Sequence, residues 1–430
     1  MMSGSTKDRP QVVSWNLTQG CNLRCPHCYL AAGRPAEDEL TTEEGLELID
    51  RLAEAGTQLL ILTGGEPLLR RDLCTLARHA ADRGLMVVLG TNGTLIDGKT
   101  AKRLKESGVQ GIGISLDSLA PAKHDAFRGL RGAWEKAICA LKICVKQGLE
   151  VVVQTSVLPM NYEEIPQLIA FAYETGARAF NAYFLVCTGR GEQLTDITPQ
   201  QYEALLNHLI DAQARYSDEQ RGFLVRAKCA PHIQRLAYER LNSQAVQQSL
   251  AAMGAVGLLA SVGCPAGTHY LRITPQGDVT PCPYLPVVLG NVRHSRLRQI
   301  WESSEVLQKL RTLELGGRCG ACEFKQRCVG CRARAFALSG DLLGEDPWCT
   351  YQPGWADHKQ AEGSHPVWTL EARARLEKIP SFIRGRVQEG LEAYARARDL
   401  HQITPELLAE LRAACLRKKK KKKDEKDRHV

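Results

Sequence analysis

The sequence lacks the features of a membrane-spanning or exported protein. It contains no stretch of about eighteen consecutive apolar residues, so no helix is predicted to cross a membrane. Its first residues lack the apolar segment of a secretory signal, and we therefore expect a cytoplasmic protein. Sixteen cysteines in such a chain indicate thiolates that bind metal in a reducing compartment, not a set of disulfides.

The sequence also lacks an evenly spread positive charge. Its formal net charge is +8, but the segment from Arg417 to Val430 contains nine Lys/Arg against three Asp/Glu, a net of +6. The rest of the chain therefore carries only about +2. We expect residues 416–430 to form a solvated basic tail, and we expect no nucleic-acid partner.

The first half of the chain alternates between apolar runs and amphipathic segments. Strands rich in Val, Ile and Leu, separated by single helices, predict a parallel sheet with both faces covered. Six such repeats without a reversal of strand order predict an α/β fold, a partial (β/α)6 TIM-like barrel. The predicted strands are Val12–Leu17, Leu59–Thr63, Met86–Gly90, Ile112–Leu116, Val151–Ser156 and Phe180–Val186, and the predicted helices lie near Thr42–Ala55, Asp72–Arg83, Lys99–Glu106, Ala133–Gln147 and Glu163–Thr175.

Three cysteines follow the first predicted strand with the spacing C-x3-C-x2-C, at Cys21, Cys25 and Cys28. Three thiolates on one short loop can hold three irons of a cubic [4Fe–4S] cluster and leave the fourth iron open to a small molecule. The alternative is a structural zinc loop, which would need a fourth ligand, and His27 is wedged between two of the cysteines. The spacing favours the iron–sulfur cluster.

Unusual polar or glycine motifs also follow the next predicted strands. Because the carboxyl ends of parallel strands meet at one rim, we expect these motifs to form a single site there. Glycines let a backbone approach a ligand closely, and a nearby carboxylate or carbonyl can accept from an ammonium group. The motifs are Gly64-Gly65-Glu66-Pro67, Thr91-Asn92-Gly93-Thr94, Ser115-Leu116-Asp117-Ser118 and Thr155-Ser156.

Cysteines become dense again in the second half of the chain. Two CxxC pairs and three further cysteines within ninety residues are a strong metal signal, with a four-cysteine zinc ribbon as the alternative. These cysteines are Cys264, Cys282, Cys319, Cys322, Cys328, Cys331 and Cys349, and Cys229 precedes them.

The C-x3-C-x2-C loop and the Gly-Gly-Glu-Pro motif together resemble those of the radical S-adenosylmethionine (SAM) enzymes. The resemblance implies that SAM chelates the open iron of the core cluster through its amine and carboxylate. It also implies a set of SAM contacts along the barrel rim, where Arg128 would suit a carboxylate because its fork binds two oxygens. The candidate contacts are Tyr29, Gly64, Gly65, Glu66, Asn92, Ser115, Arg128 and Thr155.

The later cysteines resemble the SPASM extension of that family, which binds one or two auxiliary [4Fe–4S] clusters. The resemblance implies an outer cluster held by Cys319, Cys322, Cys328 and Cys349, and an inner cluster held by Cys264, Cys282 and Cys331. The sequence departs from the usual pattern, since two residues and not three separate Cys328 from Cys331 and no second cysteine lies close to Cys264. The inner cluster therefore has either an open iron or Cys229 as its fourth ligand, and we expect the open iron or an exogenous ligand.

Longer motifs resemble the heme b synthases of the siroheme-dependent heme pathway: Phe184-Leu185-Val186-x-Thr188-Gly189-Arg190, Cys229-Ala230-Pro231 and Leu289-Gly290-Asn291-Val292. Those enzymes oxidatively decarboxylate two propionates of Fe-coproporphyrin III to vinyl groups. The resemblance implies that a 5′-deoxyadenosyl radical takes hydrogen from the propionate β-carbon. The substrate radical would then lose CO2 and pass one electron to an auxiliary cluster. A substrate with several carboxylates needs cationic partners. The candidates are Arg190, Lys228, His232, His269 and Arg272.

The segment near the carboxyl terminus resembles the small module of a catalytic subunit of dark-operative protochlorophyllide reductase, which also favours a tetrapyrrole substrate. The expected domains are a radical SAM core over 10–225, a bridging segment and SPASM domain over 226–355, a small helical domain over 364–415 and the tail.

Several alternatives stay open. The same architecture serves peptide maturases and formylglycine-generating enzymes, and close cousins remove side chains from didecarboxysiroheme or form heme d1. A zinc-stabilised scaffold is the non-enzymatic alternative. For an enzyme, we expect a low-potential electron donor such as a ferredoxin or flavodoxin.

Overall fold

The computed structural model describes residues 9–216, 222–241, 263–312, 314–353 and 367–377, and, toward the carboxyl terminus, residues 379, 384, 387–388, 391–392, 394–395, 400 and 402–407. The chain divides into two compact units, Met1–Pro353 and Gly354–Val430. The basic tail predicted over 416–430 lies outside the described residues.

The first unit begins with alternating strands and helices. The strands are β1 (Val12–Asn16), β2 (Leu59–Thr63), β3 (Met86–Thr91), β4 (Val109–Ser115), β5 (Glu150–Val157), β6 (Ala179–Phe184) and β7 (Leu224–Lys228). The helices are α1 (Thr42–Glu54), α2 (Leu73–Asp82), α3 (Gly98–Glu106), α4 (Pro121–Arg128), α5 (Ala133–Lys146), α6 (Ile165–Glu174), α7 (Pro199–Tyr216) and α8 (Ile233–Leu241). Single 3₁₀ turns occur at Pro67–Leu69, Tyr162–Glu164 and Gly189–Gln193.

The seven strands are parallel and neighbour one another in chain order, from β1 to β7. An order without a reversal, with a helix in most crossovers, is the arrangement of a (β/α) barrel and not of a doubly wound sheet. The fold predicted from the sequence is therefore confirmed. The sequence missed α4 and β7, which lie just beyond the segments with clear periodicity.

The strands are buried because one face of each carries large apolar side chains. Val13, Trp15, Leu60 and Leu62 are fully buried at alternating positions of β1 and β2. Helix α1 approaches this face closely at Gly45, where a Cβ atom would lie 2.7 Å from the Trp15 ring. Alternating residues on the opposite face are more polar, which leaves that face for the site.

The cysteine-rich segment continues the same sheet. Strand β8 (Tyr270–Ile273) pairs in parallel with β1 on the edge opposite β2, and β9 (Asp278–Thr280) and β10 (Gly290–Asn291) follow as antiparallel neighbours. The helices that the structure describes after β10 in this unit are α9 (Leu297–Ser303), α10 (Glu305–Thr312), α11 (Gly317–Ala321) and α12 (Arg332–Ser339).

The second unit has a small apolar core of its own. Strands β11 (Val367–Trp368) and β12 (Gln402–Ile403) form a parallel pair beside α13 (Leu370–Glu377). The buried residues are Ala372, Leu391, Ala395, Ile403 and Leu407. The strand pair adds to the helical content predicted from composition. In neither unit does any described helix have the length and apolar content needed to cross a bilayer.

Candidate active site

The first three cysteines lie on the loop that leaves β1. The Cys21 amide closes the loop by donating to the Gly33 carbonyl at 2.9 Å. Two other amides point at sulfur, since Leu23 N–H donates to Cys21 Sγ and Ala32 N–H donates to Cys28 Sγ, each at 3.4 Å. Amide hydrogen bonds to sulfur are a means by which proteins tune iron–sulfur clusters, so the donor set fits such a group.

Burial raises the pKa of the Cys21 thiol to about 11 and also raises the pKa of Cys25. A metal-coordinating thiol loses its proton, so metal binding is what makes these groups thiolates. His27 is stacked on Phe127 with ring centroids 4.6 Å apart, and burial lowers its pKa to about 3. The imidazole is thus a neutral packing group within the loop.

A guanidinium lies beside the Cys25 sulfur. Arg128 Nη1 is 3.8 Å from Cys25 Sγ, and Arg128 Nη2 is 2.5 Å from the Asp117 carboxylate, with both side chains buried. Asp117 also accepts from Ser156 N–H at 2.9 Å. The sequence suggested that Arg128 binds the SAM carboxylate, but its fork is engaged by a protein carboxylate that follows β4.

Arg190 also belongs to the cysteine loop. Its Nε donates to the Cys25 carbonyl at 2.9 Å and its Nη1 donates to the Ala32 carbonyl at 2.7 Å. The preceding residue, Gly189, has φ of +58°, and a Cβ atom there would lie 2.5 Å from the Tyr29 carbonyl oxygen. Glycine therefore lets the chain pass close enough to the loop for Arg190 to reach it. The structure therefore gives Arg190 a bracing contact, which differs from the substrate contact expected from the sequence.

The two glycines after β2 fit against the same loop. Gly64 has φ of +149°, and a Cβ atom there would lie 2.7 Å from the Thr18 carbonyl oxygen. A Cβ atom on Gly65 would overlap the Gly20 carbonyl. The glycines are thus required by the close approach of two protein segments, in addition to any approach of a ligand.

Glu66 joins three strand ends. Its carboxylate accepts from Leu68 N–H at 3.2 Å, Thr91 Oγ1 at 2.8 Å and Asn92 N–H at 2.9 Å, and its own amide donates to Gly20. The side chain is fully buried, and burial raises its pKa to about 7. Both oxygens accept hydrogen bonds from the protein, so the carboxylate positions the three strand ends.

The remaining rim residues differ in how they are engaged. Asn92 Nδ2 donates to Asn22 Oδ1 at 2.9 Å, which connects the third strand end to the cysteine loop. Thr155 is fully buried and its hydroxyl donates to the Leu116 carbonyl at 2.6 Å. Ser115, at the end of β4, is half-buried and keeps an exposed surface.

Tyr29 lies between the two cysteine-rich regions. Its hydroxyl accepts from Asn16 Nδ2 at 2.9 Å, and Arg272 Nε donates to Asn16 Oδ1 at 2.5 Å. Its ring meets Tyr284 edge-on with centroids 5.2 Å apart. Burial raises the pKa of Tyr29, and thiols of both regions, Cys28 and Cys282, add to this effect.

Basic and phenolic groups converge around Tyr29 on the polar side of the sheet. Lys228 ends β7 opposite Tyr183, and burial lowers the pKa of Lys228 to about 8. Burial and the nearby Lys228 lower the pKa of His269. Tyr183 and Tyr270 have raised pKa values because they are buried with Tyr29.

The structure brings the four cysteines of the expected outer set together around one cavity. Arg318 Nη1 donates to the Cys349 carbonyl at 2.9 Å beside it, and Arg235 lies over the ring of Tyr351 with its guanidinium carbon 4.9 Å from the centroid. The cavity is lined by Cys319, Cys322, Cys328 and Cys349 together with Arg235, Arg318, Lys325 and Tyr351.

The inner set contains a fourth cysteine. The thiols of Cys229 and Cys331 interact, which lowers the pKa of Cys331 and raises the pKa of Cys229. Cys264 and Cys282 interact electrostatically with each other and with Cys331. Cys229 has φ of +58°, a left-handed conformation that costs an L-residue about 1–3 kcal/mol.

His232 was a candidate substrate contact, but it is buried with its Nε2 atom 3.2 Å from the Asp346 carboxylate. Arg334 contacts the same carboxylate at 3.1 Å. Sequence analysis missed Asp346, Arg334 and the tyrosines, because nothing local distinguishes them. In the part of the chain that the structure describes, no three His, Cys, Asp or Glu side chains are placed to hold a single metal ion.

Comparisons with known proteins agree with this geometry. Residues 15–172 match the model of the radical SAM superfamily, residues 264–329 match an iron–sulfur cluster-binding domain, and residues 368–412 match the proto-chlorophyllide reductase 57 kD subunit.

Two curated relatives and one solved structure cover most of the chain. An AdoMet-dependent heme synthase from Methanosarcina barkeri is 40% identical, over 80% of this chain and 97% of that protein. A pre-heme d1 synthase from Dinoroseobacter shibae is 35% identical, over 79% and 85%. The crystal structure of Streptococcus suis SuiB bound to S-adenosylmethionine has a TM-score of 0.65 at 17% identity, over 80% and 78%, which supports the fold alone.

Proposed function

The chain belongs to the radical SAM superfamily and carries its SPASM-type extension, and from that premise we propose that it makes heme b. The proposed reaction is the oxidative decarboxylation of two propionates of Fe-coproporphyrin III to vinyl groups. The observation that carries the proposal is the 40% identity to a heme synthase along 97% of that protein. The match of residues 368–412 to a proto-chlorophyllide reductase subunit supports a tetrapyrrole substrate independently.

Cys21, Cys25 and Cys28 would hold the core [4Fe–4S] cluster. When bound, this cluster and SAM supply a carbon-centred radical that abstracts hydrogen, which is chemistry that no side chain provides. The residues of this chain position the site. Leu23 and Ala32 direct amides at sulfur, and Arg190 fixes the loop carbonyls.

The polar side of the sheet suits a substrate with several carboxylates. Lys228 keeps most of its charge at neutral pH with a pKa of about 8, and Arg272 is fixed by Asn16. Arg and Lys bind carboxylates through charge-assisted hydrogen bonds. Tyr29 and Tyr284 would pack against the faces or edges of a macrocycle and exclude water from the reacting carbon. We therefore assign Lys228, His269 and Arg272 to the substrate, and remove Arg190 and His232.

The second group of cysteines would hold two auxiliary clusters. Cys319, Cys322, Cys328 and Cys349 are the proposed outer ligands, as the sequence indicates. For the inner cluster, we replace the expectation of an open iron with full ligation by Cys229, Cys264, Cys282 and Cys331. The contacts of Arg334 support this change, since it donates to the Cys229 carbonyl and pairs with Asp346, which accepts from the Cys331 amide.

The function can be tested by anaerobic reconstitution with iron and sulfide, followed by addition of SAM, a low-potential reductant and Fe-coproporphyrin III. Mass spectrometry should detect a porphyrin that has lost two CO2 units, together with 5′-deoxyadenosine. Deoxyadenosine without a change in the porphyrin would overturn the substrate assignment and keep the reaction class. Zinc-loaded, colourless protein that does not cleave SAM would overturn both.

A second candidate is favoured by the 35% identity to a pre-heme d1 synthase. Parallel assays with didecarboxysiroheme and with Fe-coproporphyrin III would discriminate the two, since only the preferred tetrapyrrole should couple SAM cleavage to product.

We also propose a ferredoxin or flavodoxin as the electron donor, because the core cluster needs a low-potential electron. Comparing turnover with each reduced carrier would identify it.

A further inference from the structure

Asp346 lies at the boundary between the inner and outer cysteines. Its Oδ2 atom accepts from the Cys331 amide at 2.6 Å, and its own amide donates to Cys319 Sγ at 3.4 Å. The residue is fully buried. One side chain and its backbone therefore contact a member of each proposed ligand set.

A guanidinium and an imidazole face the Asp346 carboxylate. Arg334 Nη1 lies 3.1 Å from Oδ2, and His232 Nε2 lies 3.2 Å from the same atom. Arg334 also reaches the inner set, because its Nη2 donates to the Cys229 carbonyl at 2.9 Å. Trp348 N–H donates to Oδ1 at 3.2 Å and completes the shell.

The segment around Asp346 has little freedom to move. Gly330 has φ of +63°, and a Cβ atom there would lie 2.8 Å from the Asp346 Cβ and 3.2 Å from Cys319 Sγ. Arg332 Nη2 lies 3.8 Å from Cys319 Sγ and its Nη1 donates to the Gly344 carbonyl at 2.7 Å. The carboxylate is thus held at fixed distances from both sets of sulfurs.

We propose that Asp346 is a positioning residue whose negative charge lowers the reduction potentials of both auxiliary clusters. The positive charge of Arg334 would offset this effect at the inner cluster. The proposal rests on the proposed function, since it assumes that the two cysteine sets hold iron–sulfur clusters. The donor sets fit this assumption because four thiols are gathered on each side of Asp346. Its role would be to keep both clusters able to pass an electron onward.

The sign follows from electrostatics. An iron–sulfur cluster becomes more negative on reduction, and its potential depends on net charge and on hydrogen bonds to sulfur. A nearby carboxylate disfavours the reduced form and lowers the potential, whereas a nearby guanidinium raises it. In a buried site these effects are screened little by salt. Removal of Asp346 should therefore shift both auxiliary potentials upward, and removal of Arg334 should shift the inner potential downward.

The test compares Asp346→Asn, Arg334→Met and a matched control by redox titration monitored with electron paramagnetic resonance. Asn has nearly the same shape as Asp and keeps one oxygen for the Cys331 amide. Asp72→Asn is the control, because Asp72 is a partly buried carboxylate paired with Arg70 at 2.7 Å. It makes none of the sulfur contacts that Asp346 makes. Iron and sulfide contents are measured for each protein before titration.

We expect Asp346→Asn to raise both auxiliary potentials, Arg334→Met to lower the inner one, and Asp72→Asn to change neither. The core-cluster potential should stay constant in all three. Unchanged auxiliary potentials at full iron content, or shifts of the same sign in both variants, would overturn the proposal. If Asp346→Asn does not assemble clusters, the Arg334→Met variant tests the proposal alone. A lowered inner potential would support the proposal, and a raised or unchanged one would overturn it. Wild-type protein without auxiliary clusters would instead refute the ligand assignment in the proposed function.

Discussion

Two fully buried carboxylates support the two cysteine regions, and folding shifts their pKa values in opposite directions. Glu66, beside the first loop, is surrounded by neutral donors, and burial raises its pKa to about 7. Asp346, in the extension, faces Arg334, and this cation holds the pKa of Asp346 well below the usual range. Burial opposes ionisation at both sites, so the nearby guanidinium decides the direction of the shift at Asp346.

The comparison distinguishes two ways of supporting sulfur ligands. The first loop takes its three thiols from eight consecutive residues, and neutral hydrogen bonds connect it to the neighbouring strand ends. The extension collects thiols from Cys229 to Cys349, and a buried ion pair holds them. Short-range spacing is enough for the first region, whereas the second depends on the whole fold.

The largest expected effect comes from the first loop. Cys25→Ala should abolish SAM cleavage, because two thiols cannot hold the core cluster, while most auxiliary-cluster absorbance remains. Deoxyadenosine measured by mass spectrometry and the visible spectrum of the anaerobic protein would check this. Cys139→Ala, which removes an exposed cysteine of α5, is the control and should leave both unchanged. Persistent cleavage by Cys25→Ala would refute the assignment.

The next effect separates the two regions. Cys229→Ala should remove about four irons per chain if the inner cluster needs a fourth thiolate, and SAM cleavage should continue without decarboxylation. Iron and sulfide analysis would check the loss, with Cys187→Ala as a control, because Cys187 is a partly buried thiol that precedes the 3₁₀ turn at Gly189. Full iron content in Cys229→Ala would restore the open-iron arrangement expected from the sequence.

A smaller effect tests the bracing role of Arg190. Arg190→Ala removes two hydrogen bonds from a charged donor to loop carbonyls, worth roughly 1.5–3 kcal/mol each. The core cluster should be lost to an iron chelator several-fold faster, with little change in the KM for porphyrin. Arg298→Ala, which removes an exposed side chain of α9, is the matched control. A raised KM with normal chelator resistance would return Arg190 to the substrate site.

The smallest effect is a pH dependence. Folding raises the pKa of Glu66 from 4.5 to about 7, so protonation of Glu66 stabilises the folded state. This stabilisation is fully present below pH 4.5. That contribution is lost as the pH rises toward 7. Relative to Glu66→Gln, the wild type should lose about 1 kcal/mol of stability between about pH 6 and about pH 8. Anaerobic thermal unfolding would measure this.

A control variant and an opposite sign sharpen that measurement. Glu135→Gln alters an exposed side chain of α5 and should show no such difference between the two pH values. Asp346 has the opposite pH dependence, because folding lowers its pKa. It stabilises the folded state at pH values above its unfolded-state pKa, and this stabilisation is lost only as the pH falls. A wild type that gains stability relative to Glu66→Gln as the pH rises would contradict the buried, neutral-donor environment of Glu66.

Much of the first region could be predicted from the sequence. The strand and helix bounds depend on periodicity and caps, such as Thr41 and Glu44, which form a capping box before α1. The C-x3-C-x2-C spacing indicates a cluster loop because all three ligands are local. The rim could be predicted since parallel strands end on the same side.

The rest depends on contacts between distant residues. Cys229 meets Cys331 across about a hundred positions, and no spacing rule indicates such a pair. Arg128 and Arg190 were expected to contact ligands because a sequence displays a cation without its partner. In the fold, Asp117 and the Cys25 carbonyl are those partners.

Strand β1 acquires its second neighbour late in synthesis. Asn16 on β1 is bonded to Arg272 on β8, 256 positions further along the chain. At roughly 5–20 residues per second, a ribosome needs about 13–50 s to cover that distance. During that interval an apolar strand edge, Val12–Asn16, has unpaired amides and carbonyls and is open to pairing with other chains. Yield in cells should therefore depend on chaperones and on translation speed.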